Sequence, residues 1–235
     1  MSDLLLRRRM MMAASGSGLP SEYTAAKSII CSSQTYAGIV IPNTTNTNFG
    51  IYLHVNIPTS NSSAPDGCFG YIRSKTNSGM GMMFPTNNSA SRSYRCLHVG
   101  EVAFSGSQLS ALDLNGDTEL WLNKTDVTTS GAYCKNNTYN STASLDFTVS
   151  NTDSSSYSTL NGEPIIYLGG TYYFYGMLPF INGSIYACKM YNNGLVVADL
   201  VPAMRNSDSV YGFYDLKQKR FYPSVGQSAF SGSLT

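Results

Sequence analysis

From Ser21 onward, apolar and polar positions alternate in short runs separated by Gly, Asn and Ser. Phe49, Ile51, Leu53, Val55 and Ile57 alternate with Gly50, Tyr52, His54 and Asn56, a period of two that predicts a strand with one face turned to a core. Leu145, Phe147 and Val149 repeat the pattern, and Thr171 to Leu178 (TYYFYGML) predicts a dense aromatic strand. Leu112 to Leu122 reads as a hairpin in which Asn115 and Gly116 supply the positive φ angles of a tight turn. Nearer the end, Tyr186, Cys188 and Met190 form an inward row, Asn192 to Gly194 turns the chain, and Val196, Ala198 and Leu200 return it. The Ser, Asn and Thr stretches at Asn43 to Asn48, Thr59 to Ala64 and Asn151 to Thr159 are expected to be surface loops.

No amphipathic helix of useful length interrupts this series, so the prediction is all-β: two packed antiparallel sheets rather than a parallel α/β fold. No internal repeat of fixed period suggests a solenoid or a propeller. The first residues stand apart. Met1 to Ala14 (MSDLLLRRRMMMAA) is apolar and basic, and Ser15 to Gly18 is a flexible joint. Residues 1–19 are therefore read as an appendage and residues 20–235 as one domain. Two readings of the appendage stay open: an attachment peptide that orders on a partner, or a frayed terminus.

Composition narrows the function classes. Charged residues are 12% of the chain, about half the usual share, and 15 basic groups nearly cancel 14 acidic ones. Such a balance gives no global attraction to nucleic acid or to an anionic membrane surface. With 42% hydrophobic and 12% aromatic residues the chain has ample material for a core, which argues against disorder. The five cysteines include no CxxC pair, and an odd number cannot be fully paired within one chain. They are read as buried small hydrophobes of a protein assembled in a reducing cytoplasm. No stretch approaches the roughly 20 apolar residues of a membrane span. Arg7, Arg8 and Arg9 interrupt the region where a signal peptide needs a continuous apolar core, so secretion by a cleaved leader is not expected.

Candidate chemistry is sparse. Asp113, Asp117 and Glu119 have the spacing of paired glycosidase carboxylates, but a turn at Asn115 and Gly116 would put them around a hairpin tip rather than along a strand face. The same run fails as a calcium loop, since Gly116 is its fourth residue and its twelfth is Lys124; calcium held between separate loops stays open. His54 lies on an outward strand row, and His98 follows Cys96 with no third orienting group. There is no phosphate-binding loop and no basic stretch interleaved with aromatics. No catalytic residue, metal ligand or cofactor is therefore assigned. Aromatics remain: Trp121, Tyr173 and Tyr175 are the candidates for stacking on sugar rings, with core packing the alternative for Trp121. Met80, Met82, Met83 and Phe84 form an apolar run whose alternation fails, read either as a contact to a neighbouring copy or as core.

The run Gly183 to Gly194 (GSIYACKMYNNG), with Leu195 to Arg205 and Val210 to Tyr222, carries a resemblance. Lys189 and Tyr191, Asn193 and Gly194, Pro202 and Arg205, Gly212 with Tyr214 and Asp215, and Phe221 with Tyr222 resemble the closing segment of laminin-G-like, concanavalin-like jelly-roll domains of gut Bacteroidetes and their phages. Glu22 to Asn43 looks like that family's opening strand pair, and the leading LLLRRRMMM resembles the N-termini of virion proteins of such phages. The resemblance implies a jelly-roll sandwich and a non-enzymatic virion protein: a fibre, decoration or tail-associated subunit assembled in the bacterial cytoplasm. Leu4, Leu5, Leu6, Arg7, Arg8, Arg9, Met10, Met11 and Met12 would then attach it to capsid or tail proteins. A dimer or trimer, with host glycans as a candidate ligand, is expected. A bacterial cell-surface lectin is the alternative, and a glycosidase or polysaccharide lyase is a third. In the same residues, Asp215 is expected to set a turn at Lys217 and Gln218, Gly212 to permit close approach, and Phe221 with Tyr222 to close the core.

Overall fold

The computed structural model describes residues 18–41, 49–57, 66–73, 78–84, 96–100, 102–104, 116–122, 130–147, 158–160, 163–173, 176–180, 183–192 and 194–235. Among them every regular element is a strand and no helix occurs. In chain order these are β1 (Tyr23–Ile30), β2 (Ala37–Val40), β3 (Phe49–Ile57), β4 (Asp66–Arg73), β5 (Ser78–Phe84), β6 (Cys96–Gly100) and β7 (Val102–Phe104). There follow β8 (Gly116–Leu122), β9 (Ser130–Asn136), β10 (Ser141–Phe147), β11 (Ser158–Leu160), β12 (Glu163–Leu168), β13 (Gly170–Tyr173) and β14 (Gly176–Pro179). The chain closes with β15 (Ser184–Asn192), β16 (Leu195–Arg205), β17 (Val210–Asp215), β18 (Arg220–Pro223) and β19 (Ser231–Leu234).

The strands form two sheets. The first runs β10-β9-β8-β3-β15-β1-β16-β17-β18, with β19 on β1. Here β15 and β16 pair as a hairpin from Cys188↔Leu200 to Asn192↔Leu195. Beyond Cys188 the space between them is taken by β1, which pairs β15 through Ile29↔Ile185 and β16 through Tyr23↔Arg205. The second sheet runs β11-β12-β4-β5-β6-β7, with β2 on β12 and the pair β13–β14 beside β4. Only the β13–β4 contact is parallel among these pairings.

One core lies between the sheets. The first contributes Ile29, Ile51, Leu53, Val55, Leu120, Cys188, Leu200 and Phe213, and the second contributes Ile39, Ile165, Ile166 and Leu168, all essentially without solvent contact. Each such aliphatic side chain contributes about 1.5–3 kcal/mol by leaving water. The β3 alternation behaves as its period requires: Ile51, Leu53 and Val55 face the core while Tyr52, His54 and Asn56 are half-buried on the opposite face.

Several local expectations are corrected. Of the hairpin expected over Leu112 to Leu122, residues 112–115 lie outside the described residues, while Gly116–Leu122 is β8, with β3 along one edge and β9 along the other. Gly116 does take φ +72°, but as the first residue of β8. The aromatic run TYYFYGML is not one strand. Tyr173 pairs with Gly176, so the chain reverses within it, and Gly176 adopts φ +148°, which suits only glycine. A bulge between Ile185 and Ala187 changes the parity of β15, so Ile185 takes the core position and Tyr186 turns to the outer face.

Phe221 also leaves the core to Tyr222 and packs on the outer face with Tyr23, ring centroids 5.1 Å apart. Ser158 and Thr159, expected in a loop, pair with β12. The opening strands β1 and β2 lie in different sheets rather than pairing with each other. By contrast Asp215 sets its turn as expected. Its Oδ1 accepts from the backbone N–H groups of Lys217 at 2.8 Å and Gln218 at 3.1 Å, and from Asp199 at 3.0 Å. Asn43 to Asn48, Thr59 to Ala64 and the attachment residues Leu4 to Met12 lie outside the described residues. The Met80 to Phe84 run lies in β5, which is paired on both edges, with β4 and β6.

Candidate functional site

The outer face of the first sheet concentrates its polar and aromatic chemistry. Cross-strand register places Tyr133, Trp121, Tyr52, Lys189 and Asp199 in one row across β9, β8, β3, β15 and β16. With strands spaced by about 4.8 Å, five of them make a track roughly 19 Å long. A second row beside it holds Lys135, Glu119, His54 and Ala187.

The three rings are in mutual contact. Trp121 lies 4.9 Å from Tyr52 and 5.2 Å from Tyr133, centroid to centroid, with interplanar angles of 44° and 58°. All three are half-buried, so part of each ring faces solvent. His54 packs against Tyr186 at 4.7 Å on the same face. Tyr191 is almost fully buried, and burial, with Asp199 and then Cys188 nearby, pushes its phenol up to about 12.

The polar groups are joined in a network. His54 Nε2 and Asp117 Oδ1 are 2.7 Å apart. Glu119 accepts from the Tyr52 hydroxyl, the Lys135 ammonium and the Asn137 amide, each at 3.2 Å. The Asn137 amide also donates to Asp117 Oδ1 at 3.2 Å, so a single nitrogen bridges the two carboxylates. Lys189 is paired with Asp199 at 3.0 Å. Burial, followed by the charge and hydrogen bond of Glu119, raises the Tyr52 phenol far above its ordinary range.

The turn after β9 holds this network in place. Asn136 Oδ1 accepts from the N–H groups of Thr138 and Tyr139, and Asn140 takes φ +51° to return the chain into β10. Thr138 Oγ1 accepts from the Asp117 N–H at 2.9 Å, and the Asn137 N–H donates to the Asp117 carbonyl at 2.8 Å. The turn is thereby fastened to the start of β8, which aims Asn137 between the carboxylates.

Asp117 and Glu119 thus share a strand face, contrary to the expectation that they flank a hairpin tip, while Asp113 lies outside the described residues. Two carboxylates on one strand face, bridged by one nitrogen, are the kind of pair that glycoside hydrolysis uses. The oxygens of Glu119 are, however, taken up by three donors. His54 contacts a carboxylate and a ring, with no hydroxyl or thiol nucleophile against it among the described residues. Among those residues no group of three metal-ligating side chains gathers.

Of the sugar-stacking candidates, Trp121 joins Tyr52 and Tyr133, Tyr173 is in β13 of the other sheet, and Tyr175 lies outside the described residues. The sequence reading overlooked Tyr52, Tyr133, Lys135, Asn137 and Asp199 as site residues. The signal was present in the alternation of Asp117, Glu119 and Trp121 with Thr118, Leu120 and Leu122.

No protein-family model matches this chain, and no curated protein matches it. Among solved structures, a crystal structure of scytalido-glutamic peptidase with a transition state analog inhibitor is 16% identical, covers 87% of this chain and 100% of its own, and has a TM-score of 0.38. SCP-B, a member of the Eqolisin family of peptidases in complex with the tripeptide Ala-Ile-His, is 14% identical, covers 75% of this chain and 91% of its own, and has a TM-score of 0.32. Such scores bear on neither the activity nor the ligand of this chain.

Proposed function

We propose that this chain is a non-enzymatic jelly-roll protein that binds glycans through the outer face of its first sheet and serves as a fibre or decoration subunit of a phage particle. The observation that carries the glycan reading is the half-buried track of Tyr133, Trp121 and Tyr52 bordered by Asp117, Glu119, Lys135 and Asn137. Ring faces stack on the apolar faces of sugars, and fixed polar groups beside them orient hydroxyls. Trp121 is the chain's single tryptophan, so its intrinsic fluorescence reports this face alone. Titration with soluble polysaccharides is expected to change that emission. Calorimetry of Trp121→Ala with the same ligand is expected to show about tenfold weaker binding, the equivalent of one ring contact of about 1.4 kcal/mol. Undiminished binding by Trp121→Ala refutes the site.

The particle role rests on the likeness of the leader to the N-termini of phage virion proteins, beside the likeness of residues 183–222 to jelly-roll domains of gut Bacteroidetes and their phages. Deletion of residues 1–18 should leave a folded domain that no longer enters particles, and normal incorporation overturns that role. Several copies would raise avidity by roughly 10² to 10⁴ without new contacts, which favours a dimer or trimer; a monomeric mass by light scattering, free and with its particle partner, speaks against it. The pairing of Asp117 and Glu119 keeps a hydrolase reading in view. Polysaccharide turnover that is lost in Asp117→Asn or Glu119→Gln would replace the non-enzymatic assignment.

A further inference from the structure

We infer that the ring-lined face selects uncharged glycans and rejects acidic ones, an inference that rests on the glycan-binding reading above. The argument is one of charge pairing. Every cation along the track already has its own carboxylate among the described residues: Lys135 with Glu119 at 3.2 Å and Lys189 with Asp199 at 3.0 Å. A uronate or sulfate approaching either ammonium also meets the carboxylate already paired with it, so the attraction it would gain is largely cancelled. Three carboxylates, Asp117, Glu119 and Asp199, line the face against these two ammonium groups, and Asp117 is the one not paired with either lysine, its Oδ1 facing His54 and Asn137 instead.

Asp117 is the most exposed of the three acids, with 41% of its side chain open to solvent. An exposed carboxylate bordering a ring track accepts hydrogen bonds from sugar hydroxyls and repels a second anion. An uncharged chain meets no such repulsion and can use the rings and these acceptors together. Its binding should therefore depend little on ionic strength.

The test uses the full-length chain, with Trp121 emission and affinity electrophoresis as paired readouts. The probes are uncharged dextran, mannan and galactan, and acidic polygalacturonate and alginate. At least one uncharged polymer should bind, with an affinity that changes less than about twofold between low and high salt. Each acidic polymer should bind at least about tenfold more weakly. Asp117→Asn, which keeps the side-chain shape, should narrow that gap by improving acidic binding and weakening uncharged binding. Tighter binding of an acidic polymer than of every uncharged one overturns the selectivity while leaving a glycan-binding face. No response to any polymer in either readout removes the glycan reading and this inference together.

Discussion

The two faces of the first sheet are made by the same strands and do different work. On β3 and β8 the inner face presents Ile51, Leu53, Val55 and Leu120, each essentially without solvent contact, whereas the outer face presents Tyr52, His54, Glu119 and Trp121. A displacement of one residue along either strand separates a side chain that holds the fold from one on the face proposed to meet a ligand. Because the side-chain period is two, a one-residue slip would exchange the faces, so the buried aliphatic row also fixes the register of the outer track. Stability and recognition are therefore separable by mutation, although coupled through register.

The largest stability loss should come from the inner face. Phe213→Ala removes a ring that has no solvent contact and packs edge-on against Phe230, and is expected to cost about 3–5 kcal/mol in urea unfolding. Trp121→Ala should cost clearly less, since the ring is half-buried, yet should weaken ligand binding where a folded Phe213 variant would not. Equal stability losses at the two positions would break the distinction between the faces.

Asp215 is the exception that sharpens it, a charged residue on the inner face with no solvent contact. Its Oδ1 receives three backbone N–H groups and thereby joins β16 to the turn after β17. Asp215→Ala leaves those donors without their acceptor and is expected to cost at least about 2 kcal/mol, with ligand binding by the folded fraction unchanged. A loss under about 0.5 kcal/mol would mean that other acceptors replace the carboxylate.

Alkaline pH should expose both faces at once, by a smaller and graded effect. Burial raises the thiols of Cys31 and Cys188, the latter helped by Asp199 and Asp215, and it raises the phenols of Tyr52 and Tyr191. All four folded-state values lie above those of the unfolded chain, which are about 8.5 for thiols and 10 for phenols. Their contribution is complete below the unfolded values and is lost as pH rises, because the unfolded state releases protons first. The urea midpoint should therefore be level between about pH 6 and 8 and fall above about pH 9. Tyr191→Phe should flatten the part of that fall between about 10 and 12. A midpoint that rises with pH in this range refutes the assignment.

Local pattern made the inner face legible. The period-two runs identify which residues of β3 enter the core because a strand buried on one face must alternate. The outer site was harder to read for a physical reason: it is assembled by register between β3 and β8, with His54 and Asp117 63 residues apart in sequence. Gly116 is a genuine positive-φ residue, but the same backbone angle opens a strand as readily as it closes a hairpin. The aromatic run at Thr171 misleads for the complementary reason, since its composition favours one strand while Tyr173 pairs back on Gly176 across two strands. The bulge in β15 has no marker in its sequence, so alternation alone puts Tyr186 inward.

The smallest expected effect distinguishes the two ion pairs of the outer face. Lys135 and Glu119 are 3.2 Å apart, but 38% of the lysine side chain is open to solvent, and Glu119 keeps the Tyr52 and Asn137 donors if the lysine is lost. Solvent screening then limits the cost of Lys135→Met to about 0–1 kcal/mol. Lys189 has only 13% of its side chain exposed and lies 3.0 Å from Asp199, whose ordinary partner it is in the cross-strand register. Removing that largely buried ammonium takes from Asp199 the lysine that pairs it, whereas Glu119, though drier at 9% exposed, keeps two other donors. Lys189→Met should therefore cost more than Lys135→Met, and added salt should narrow the difference only partly. Urea unfolding of both variants at low and high salt checks the order. A larger cost at Lys135 would show that the Glu119 network, rather than the Lys189 pair, is the more strongly desolvated part of this face.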